Sequence, residues 1–462
     1  MANSEAILDT QTATQTQMTQ DTALESQPIE HPSYGQLLGK HVKMKSLDLR
    51  HSEFKVGREG TCHLILDEDN LPPSKLCRIS KHHFTIKKDL NDTTSPTYIH
   101  DHSRNGTYVN GRLIGPNKCM ILKHNDIISI AGVSIRAFVY YDLRYSMQSD
   151  IKAKELLDRY HVGRKLGSGA CGTVYLLHDT VSCQPYAMKH VAKDPLNERS
   201  RPKFLNDPLR VMNEVNIMKN LDHPCVIKMH DIVDKPDSVY MVLEYMKGGD
   251  LLSRIISKGF LPEKTAKLFF LQMCHAVKYL HEQGKLECCE NTQRTISSLN
   301  VAGRKSTKSD RTLEGFVLLT FALPFGFCSH LSHVEKEVLQ TGGRGSYTRK
   351  VDIWSLGVVL FTMLSGTLPF SDEYGSPAVE QIKRGNFKMR HSVWKQVSSL
   401  AKKLIYDILN VNPHSRPSID TLLQSSWLRD PDIVGRAEQL MKISLRVEEA
   451  APKRTTTSDV EN

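Results

Sequence analysis

Leu166 to Val174 reads Leu-Gly-Ser-Gly-Ala-Cys-Gly-Thr-Val, and this run constrains the fold more than any other. Its glycines, Gly167, Gly169 and Gly172, lack a Cβ. The backbone there can fold tightly over a ligand with its N–H groups facing phosphate oxygens. Taken alone, the pattern describes an ordinary flexible turn equally well. A dinucleotide-binding turn needs a helix next, whereas Thr173 to Leu177 is β-branched and apolar and predicts a strand. Tyr186 to Lys189 is a second short apolar strand, ending in lysine. Val211 to Leu221 has helical periodicity and carries Glu214, a carboxylate able to pair with Lys189.

The 462 residues suggest two or three domains with ample core. At 39% hydrophobic and 24% charged, the composition is globular, which excludes a chain disordered throughout. No apolar run approaches the roughly 18–20 residues a membrane helix requires, and Met1 to Asp9 does not read as a signal peptide. Ten scattered cysteines form no regular framework, which fits reduced thiols in cytosol or nucleus. The net charge of +10 suits an anionic partner, a phosphoprotein as well as a nucleic acid. No basic block rises above a solvated face, so neither direct nucleic-acid binding nor membrane binding is expected.

Residues 1–35 are polar and aperiodic and read as a disordered tail. Thr10-Gln11, Thr14-Gln15, Thr16-Gln17, Thr19-Gln20 and Ser26-Gln27 crowd this tail with hydroxyl–glutamine pairs. They describe Gln/Thr-rich low complexity, and they also resemble an SQ/TQ cluster, the target of phosphoinositide-3-kinase-like kinases that signal DNA damage. From residue 36 to 142 short apolar runs alternate with turn residues: Phe54 to Val56, His63 to Leu66, His83 to Ile86, Thr107 to Val109 and Ile127 to Ile130. This pattern predicts an all-β sandwich. Its loops carry Gly57-Arg58, Arg78 to His83, and Asp101 to Thr107. In that order they resemble the forkhead-associated (FHA) domain, a phosphothreonine-binding sandwich. A planar guanidinium, an ammonium and a hydroxyl suit a phosphate dianion, here Arg58, Lys81 and Ser80. The resemblance further implies that Asn105 holds the peptide backbone and that His83 braces the serine loop.

After a charged connector at 143–158, which reads as beginning in a short helix, residues 159–428 resemble a protein kinase. The glycine run, the strand lysine Lys189 and the helix glutamate Glu214 stand in the family's order. The resemblance implies ATP binding by Leu166, Gly167, Gly169, Gly172, Val174, Lys189 and Glu214. It also implies a hinge at Glu244 and Met246, a gatekeeper at Leu243, and Asp250 near the ribose. Leu268 to His281 has the period of an amphipathic helix. Lys350 to Leu360 resembles the large lobe's central helix, where Asp352 braces the catalytic loop, and Arg416 resembles the arginine that pairs with a glutamate of the activation segment. The expected architecture is multidomain: an all-β FHA sandwich followed by an α+β two-lobed kinase-like domain. The tail at 429–462 contains one amphipathic piece, Ile433 to Ile443.

Tail, FHA domain and kinase domain in this order resemble the checkpoint kinase 2 family, and the insect member most of all. That resemblance implies a serine/threonine kinase of the DNA-damage checkpoint, using ATP and Mg²⁺. It implies phosphothreonine proteins and upstream DNA-damage kinases as partners, a phosphorylation-dependent homodimer, and a nuclear or also cytoplasmic location.

Residues 285–336 depart from the pattern. Neither His-Arg-Asp nor Asp-Phe-Gly occurs after His281, and Glu335-Lys336-Glu337 stands where Ala-Pro-Glu is expected. Reverse translation of Leu313 to Phe316 permits Leu-Lys-Val-Ser one base on, and Thr295 to Leu299 permits Asn-Leu-Lys-Pro two bases on. Both fit a reading-frame slip, with an unusual exon or real divergence as alternatives. The family's loop aspartate accepts the substrate proton, and the loop asparagine and Asp-Phe-Gly aspartate hold Mg²⁺. The chain as written therefore has no assigned catalytic or metal residue, and reads either as a kinase with a disrupted segment or as an inactive phosphothreonine-binding pseudokinase or eroded paralogue.

Overall fold

The computed structural model describes residues 32–40, 44–144, 151, 153–169, 172–193, 215–216, 218–249, 251–283, 300–305, 313–319 and 349–449. For 300–305, 313–319 and 443–449 it describes the backbone alone.

The first unit is the expected sandwich. Its strands are β1 (Gly35–Gly39), β2 (Leu47–Leu49), β3 (Glu53–Gly57), β4 (Leu64–Ile65), β5 (Phe84–Lys87) and β6 (Thr97–Asp101). They continue with β7 (Thr107–Val109), β8 (Arg112–Leu113), β9 (Cys119–Leu122), β10 (Asp126–Ile130) and β11 (Arg136–Asp142). A one-turn helix, α1 (Pro73–Leu76), interrupts the series. One sheet has the order β2-β1-β11-β10-β7-β8 and the other β4-β3-β5-β6-β9. Alternation does the sorting, because successive side chains of a strand point to opposite faces. In β6, Thr97, Ile99 and Asp101 are buried while Tyr98 and His100 are half-exposed. The inward set, including Phe84, Ile86, Ile99, Ile128 and Phe138, forms a single core between the sheets.

The small lobe of the second unit is a five-stranded sheet in the order β12-β13-β14-β16-β15. Its strands are β12 (Tyr160–Gly169), β13 (Gly172–Asp179), β14 (Pro185–Ala192), β15 (Met229–Asp234) and β16 (Ser238–Glu244). Alternation again divides the residues. Val191, Val239, Met241 and Leu243 pack with Val215 and Met218, whose backbone is helical. Met188, Tyr240 and Val242 pack on the other face with Tyr160 and Leu156. Leu156 belongs to α2 (Lys154–Arg159), at the far end of the connector; residues 145–150, where a short helix is expected to begin, lie outside the described residues. Ile151, Ala153 and Leu156 are apolar and bury against the sheet, which draws the helix there.

The large lobe is helical: α3 (Leu251–Lys258), α4 (Glu263–Glu282), α5 (Lys350–Ser365), α6 (Ala378–Arg384), α7 (Ser399–Ile408), α8 (Ile419–Leu423) and α9 (Pro431–Glu449). Helix α5 is buried from Val351 to Ser365, as a helix apolar on every side must be. The amphipathic piece of the C-terminal tail is α9, which adds Ile433 and Ala437 to this core. Two strands, β17 (Asn300–Lys305) and β18 (Leu313–Leu319), form an antiparallel hairpin inside the aberrant stretch, with β18 running beside α4. No described helix is long and apolar enough to cross a membrane.

Candidate functional site

Three loops of the sandwich meet at one rim. Gly57 ends β3, and a Cβ there would stand 2.0 Å from Lys81 O, so only glycine lets the first two loops approach. Backbone bonds then join them: Arg58 N–H donates to Ser80 O at 3.3 Å and Glu59 N–H to Lys81 O at 3.0 Å. The third loop locks on through Arg104 N–H, which donates to Ser80 Oγ at 3.1 Å, and Asn105 Nδ2, which donates to Arg78 O at 2.6 Å. Arg58, Lys81 and Asn105 are exposed and Ser80 is half-buried, so all four expected phosphothreonine residues face one surface. Arg78 and Arg104 are exposed beside them, and the rim is strongly cationic.

Two buried groups hold the rim in shape. His83 is wholly buried, and Ser80 N–H donates to its Nδ1 at 3.1 Å. Burial pushes the imidazole down to about 4, which keeps it neutral and able to accept. Asp101 is also wholly buried and was not singled out from sequence, where it reads as an ordinary turn residue. Its carboxylate accepts from Ser103 N–H at 2.9 Å, Ser103 Oγ at 2.6 Å, Thr107 N–H at 3.1 Å and Thr107 Oγ1 at 2.8 Å. Asp101-x-Ser103 followed by Thr107 is the sequence signal that could have revealed it.

The second constellation lies in the small lobe. Strands β12 and β13 form a hairpin with Gly167 opposite Val174 and Gly169 opposite Gly172. Gly172 has φ +119°, and a Cβ there would stand 2.1 Å from His190 O, so this position requires glycine. In β14, Lys189 pairs in register with Val174 on one side and Met241 on the other. Lys189 is 3% exposed and shares a strand face with Val191, the face packed by Val215 and Met218. Glu214 directly precedes that helical turn but lies outside the described residues, as does Asp250. Glu244 ends β16 paired with Tyr186, Met246 lies two residues beyond, and Glu244 N–H donates to Lys228 O at 3.0 Å. Leu243, the expected gatekeeper, is buried in the cluster between helix and sheet.

The large lobe supplies scaffold. Asp352 is buried, and its Oδ2 lies 2.7 Å from His281 Nε2. Burial raises the Asp352 carboxyl, and the His281 partner partly offsets this. Arg416 donates to the carbonyls of Asn410, Lys350 and Val411 and stacks 4.8 Å over Trp354. Glu337, the expected partner of Arg416, lies outside the described residues.

A family model described as the protein kinase domain matches residues 160–286 and 326–428, and one described as the FHA domain matches residues 54–131. The chain is 50% identical over 447 residues to the ovarian-specific serine/threonine-protein kinase Lok of Drosophila melanogaster, covering 93% of each chain. The chain belongs to the checkpoint kinase 2 family. It is 30% identical over 452 residues to the serine/threonine-protein kinase chk-2 of Caenorhabditis elegans, covering 94% of this chain and 90% of that one. The crystal structure of Rad53 1-466 in complex with AMP-PNP shares the fold, with TM-score 0.51 and 22% identity, covering 85% of this chain and 99% of that one. The chain is thus an FHA-bearing serine/threonine kinase of the checkpoint type by family. The kinase match leaves residues 287–325 unmatched, inside the stretch where the motifs are missing.

The pH dependence of the reader follows from His83. Its pKa is lower folded than unfolded, so the stability it permits is complete above about 6.5 and falls as the pH drops toward about 4. Between pH 7 and pH 5 the wild type should lose roughly 1–2 kcal/mol more FHA stability than His83→Asn in urea unfolding. Equal losses would contradict this role for His83.

Proposed function

We propose that the protein is a phosphothreonine-directed serine/threonine kinase of the nuclear DNA-damage checkpoint. Its FHA rim docks on phosphothreonine, and its kinase lobes would act on the partner so recruited where the two motifs missing from residues 285–336 are present. One observation carries the reading: Arg58, Ser80, Lys81 and Asn105 stand on a single rim whose three loops are hydrogen-bonded to one another. A phosphate dianion there meets a guanidinium, an ammonium and a hydroxyl already positioned, so little ordering entropy is lost on binding. The chain's own Thr-Gln tail, once phosphorylated by an upstream DNA-damage kinase, is a ligand of the right chemistry, and docking onto a second copy gives the homodimer.

In the small lobe, the glycine hairpin would cover the ATP phosphates, Lys189 would contact them and Glu214 would orient Lys189. Glu244 and Met246 would meet adenine at the backbone, with Asp250 near the ribose. The residues for Mg²⁺ are another matter. The sequence carries neither motif that holds the metal in this family, and among the described residues no three His, Cys, Asp or Glu side chains stand together as a metal site. No step through the metal is assigned. That same gap favours a second reading, a phosphothreonine reader without phosphotransfer.

Two experiments follow. A peptide of residues 12–24 phosphorylated on Thr19 should bind the full chain in isothermal titration, and the plain peptide should not. Arg58→Ala should weaken binding by about tenfold or more, the worth of a lost bond to a charged group. Equal affinity for the two peptides would overturn the reader. For the lobes, radiolabelled transfer to a basic peptide should equal the Lys189→Met background in the chain as written. It should exceed that background about a hundredfold or more once His-Arg-Asp and Asp-Phe-Gly are restored in 285–336. Transfer by the unrestored chain would eliminate the second reading, and none by the restored chain would eliminate the first.

A further inference from the structure

Sandwich and small lobe meet along one seam. Strand β9 is the outer strand of its sheet, and Ile121 N–H donates across the seam to Thr180 O at 2.9 Å. Thr180 lies in the turn between β13 and β14. Nearby, Lys123 Nζ donates to Leu157 O at 2.6 Å, and His161 Nε2 lies 3.0 Å from Thr94 O. Val181 packs against the sandwich core.

Within this seam the Sγ atoms of Cys119 and Cys183 lie 3.4 Å apart. Cys119 opens β9 of the sandwich, and Cys183 closes the small-lobe turn. Both thiols are free and half-buried, within reach of a small solute. The turn presents Cys183 in a defined way. Its φ is +57°, rare for a residue with a side chain, and three bonds to Asp179 hold it there. Cys183 N–H donates to Asp179 O at 2.8 Å, and Val181 and Ser182 N–H donate to Asp179 Oδ1 at 3.0 and 2.8 Å.

We propose that Cys119 and Cys183 are a redox pair, and that a peroxide converts them to a disulfide clamping the FHA sandwich onto the small kinase lobe. A disulfide needs its sulfurs about 2.05 Å apart, so closure asks for little more than side-chain rotation and a small shift of the seam. The pair is also chemically biased. The hydrogen bond the two thiols share lowers the first ionisation of the pair, with Cys119 shifted down and Cys183 up, which favours Cys119 as the first nucleophile.

Cys119 thiolate attacks one oxygen of hydrogen peroxide. The O–O bond breaks, hydroxide leaves and takes a proton to become water, and Cys119 becomes a sulfenic acid. Cys183 then gives its proton to solvent and attacks the sulfenic sulfur. The S–O bond breaks, and the departing hydroxide is protonated to a second water. Two thiols and one peroxide thus become one disulfide and two waters. The bond closes a loop spanning 64 residues, which contains the whole connector between reader and lobe. Hinging between the two units stops, and β13–β14, which align Val174 with Lys189, are tied to the sandwich. The clamp is independent of whether residues 285–336 support phosphotransfer.

The test uses the full chain with a specific protease site inserted between residues 145 and 150. After hydrogen peroxide and alkylation, cleavage should leave the two pieces joined on a non-reducing gel and separate after dithiothreitol. Digestion of the untagged oxidised wild type should give a Cys119–Cys183 linked peptide in a species of monomer mass. Cys119→Ser and Cys183→Ser should each abolish the linkage. Pieces that separate without reductant, a link that survives in either variant, or a link found in a species of dimer mass would overturn the proposal.

Discussion

Four hydrogen bonds converge on the Asp101 carboxylate at the buried end of β6, and the shape of the reader depends on them. A buried carboxylate without donors is too costly to keep, so the donors on Ser103 and Thr107 must come to it. Bringing them there bends the loop between β6 and β7 into the turn that offers Arg104 N–H to Ser80 Oγ and Asn105 Nδ2 to Arg78 O. His83 fixes the facing loop by accepting from Ser80 N–H. Two buried polar side chains thereby hold exposed cations in place, and the cations are left to meet phosphate.

The kinase lobe solves its positioning problem by strand register. Lys189 takes its place along the chain from β14. It is placed because β14 pairs with β13 and β16 over six and seven residues, and a slip of one residue would turn it to the opposite face. Burying Val191, Met241 and Leu243 against Val215 and Met218 forbids that slip. Reader and nucleotide lobe are then joined through the β9 edge.

Much of this was legible in the sequence, for physical reasons. Strands with period-two burial announce themselves, and Phe54, Phe84, Ile128 and the β12–β14 hairpins fall where alternation puts them. Helices α4 and α5 follow their apolar patterns in the same way. Asp101 was not legible as a structural centre, because a turn aspartate and a buried one look alike until the fold closes over it. The seam was invisible too: Cys119 and Cys183 are 64 residues apart in different units, and no local pattern relates them. The helix α2 at the connector's far end was not expected from sequence, because what holds it is the core that Leu156 reaches in the small lobe. Glu214 and Asp250 lie outside the described residues, so their expected roles rest on family order.

The central claim is that three loops act as one preformed phosphate site, and amide hydrogen exchange tests it residue by residue. Adding a phosphothreonine peptide to the full chain should slow exchange together at Arg58, Glu59, Lys81 and Arg104, with little change at β-strand amides already protected. An unphosphorylated peptide should leave all four unchanged. Protection confined to one loop, or equal for the two peptides, would contradict the claim.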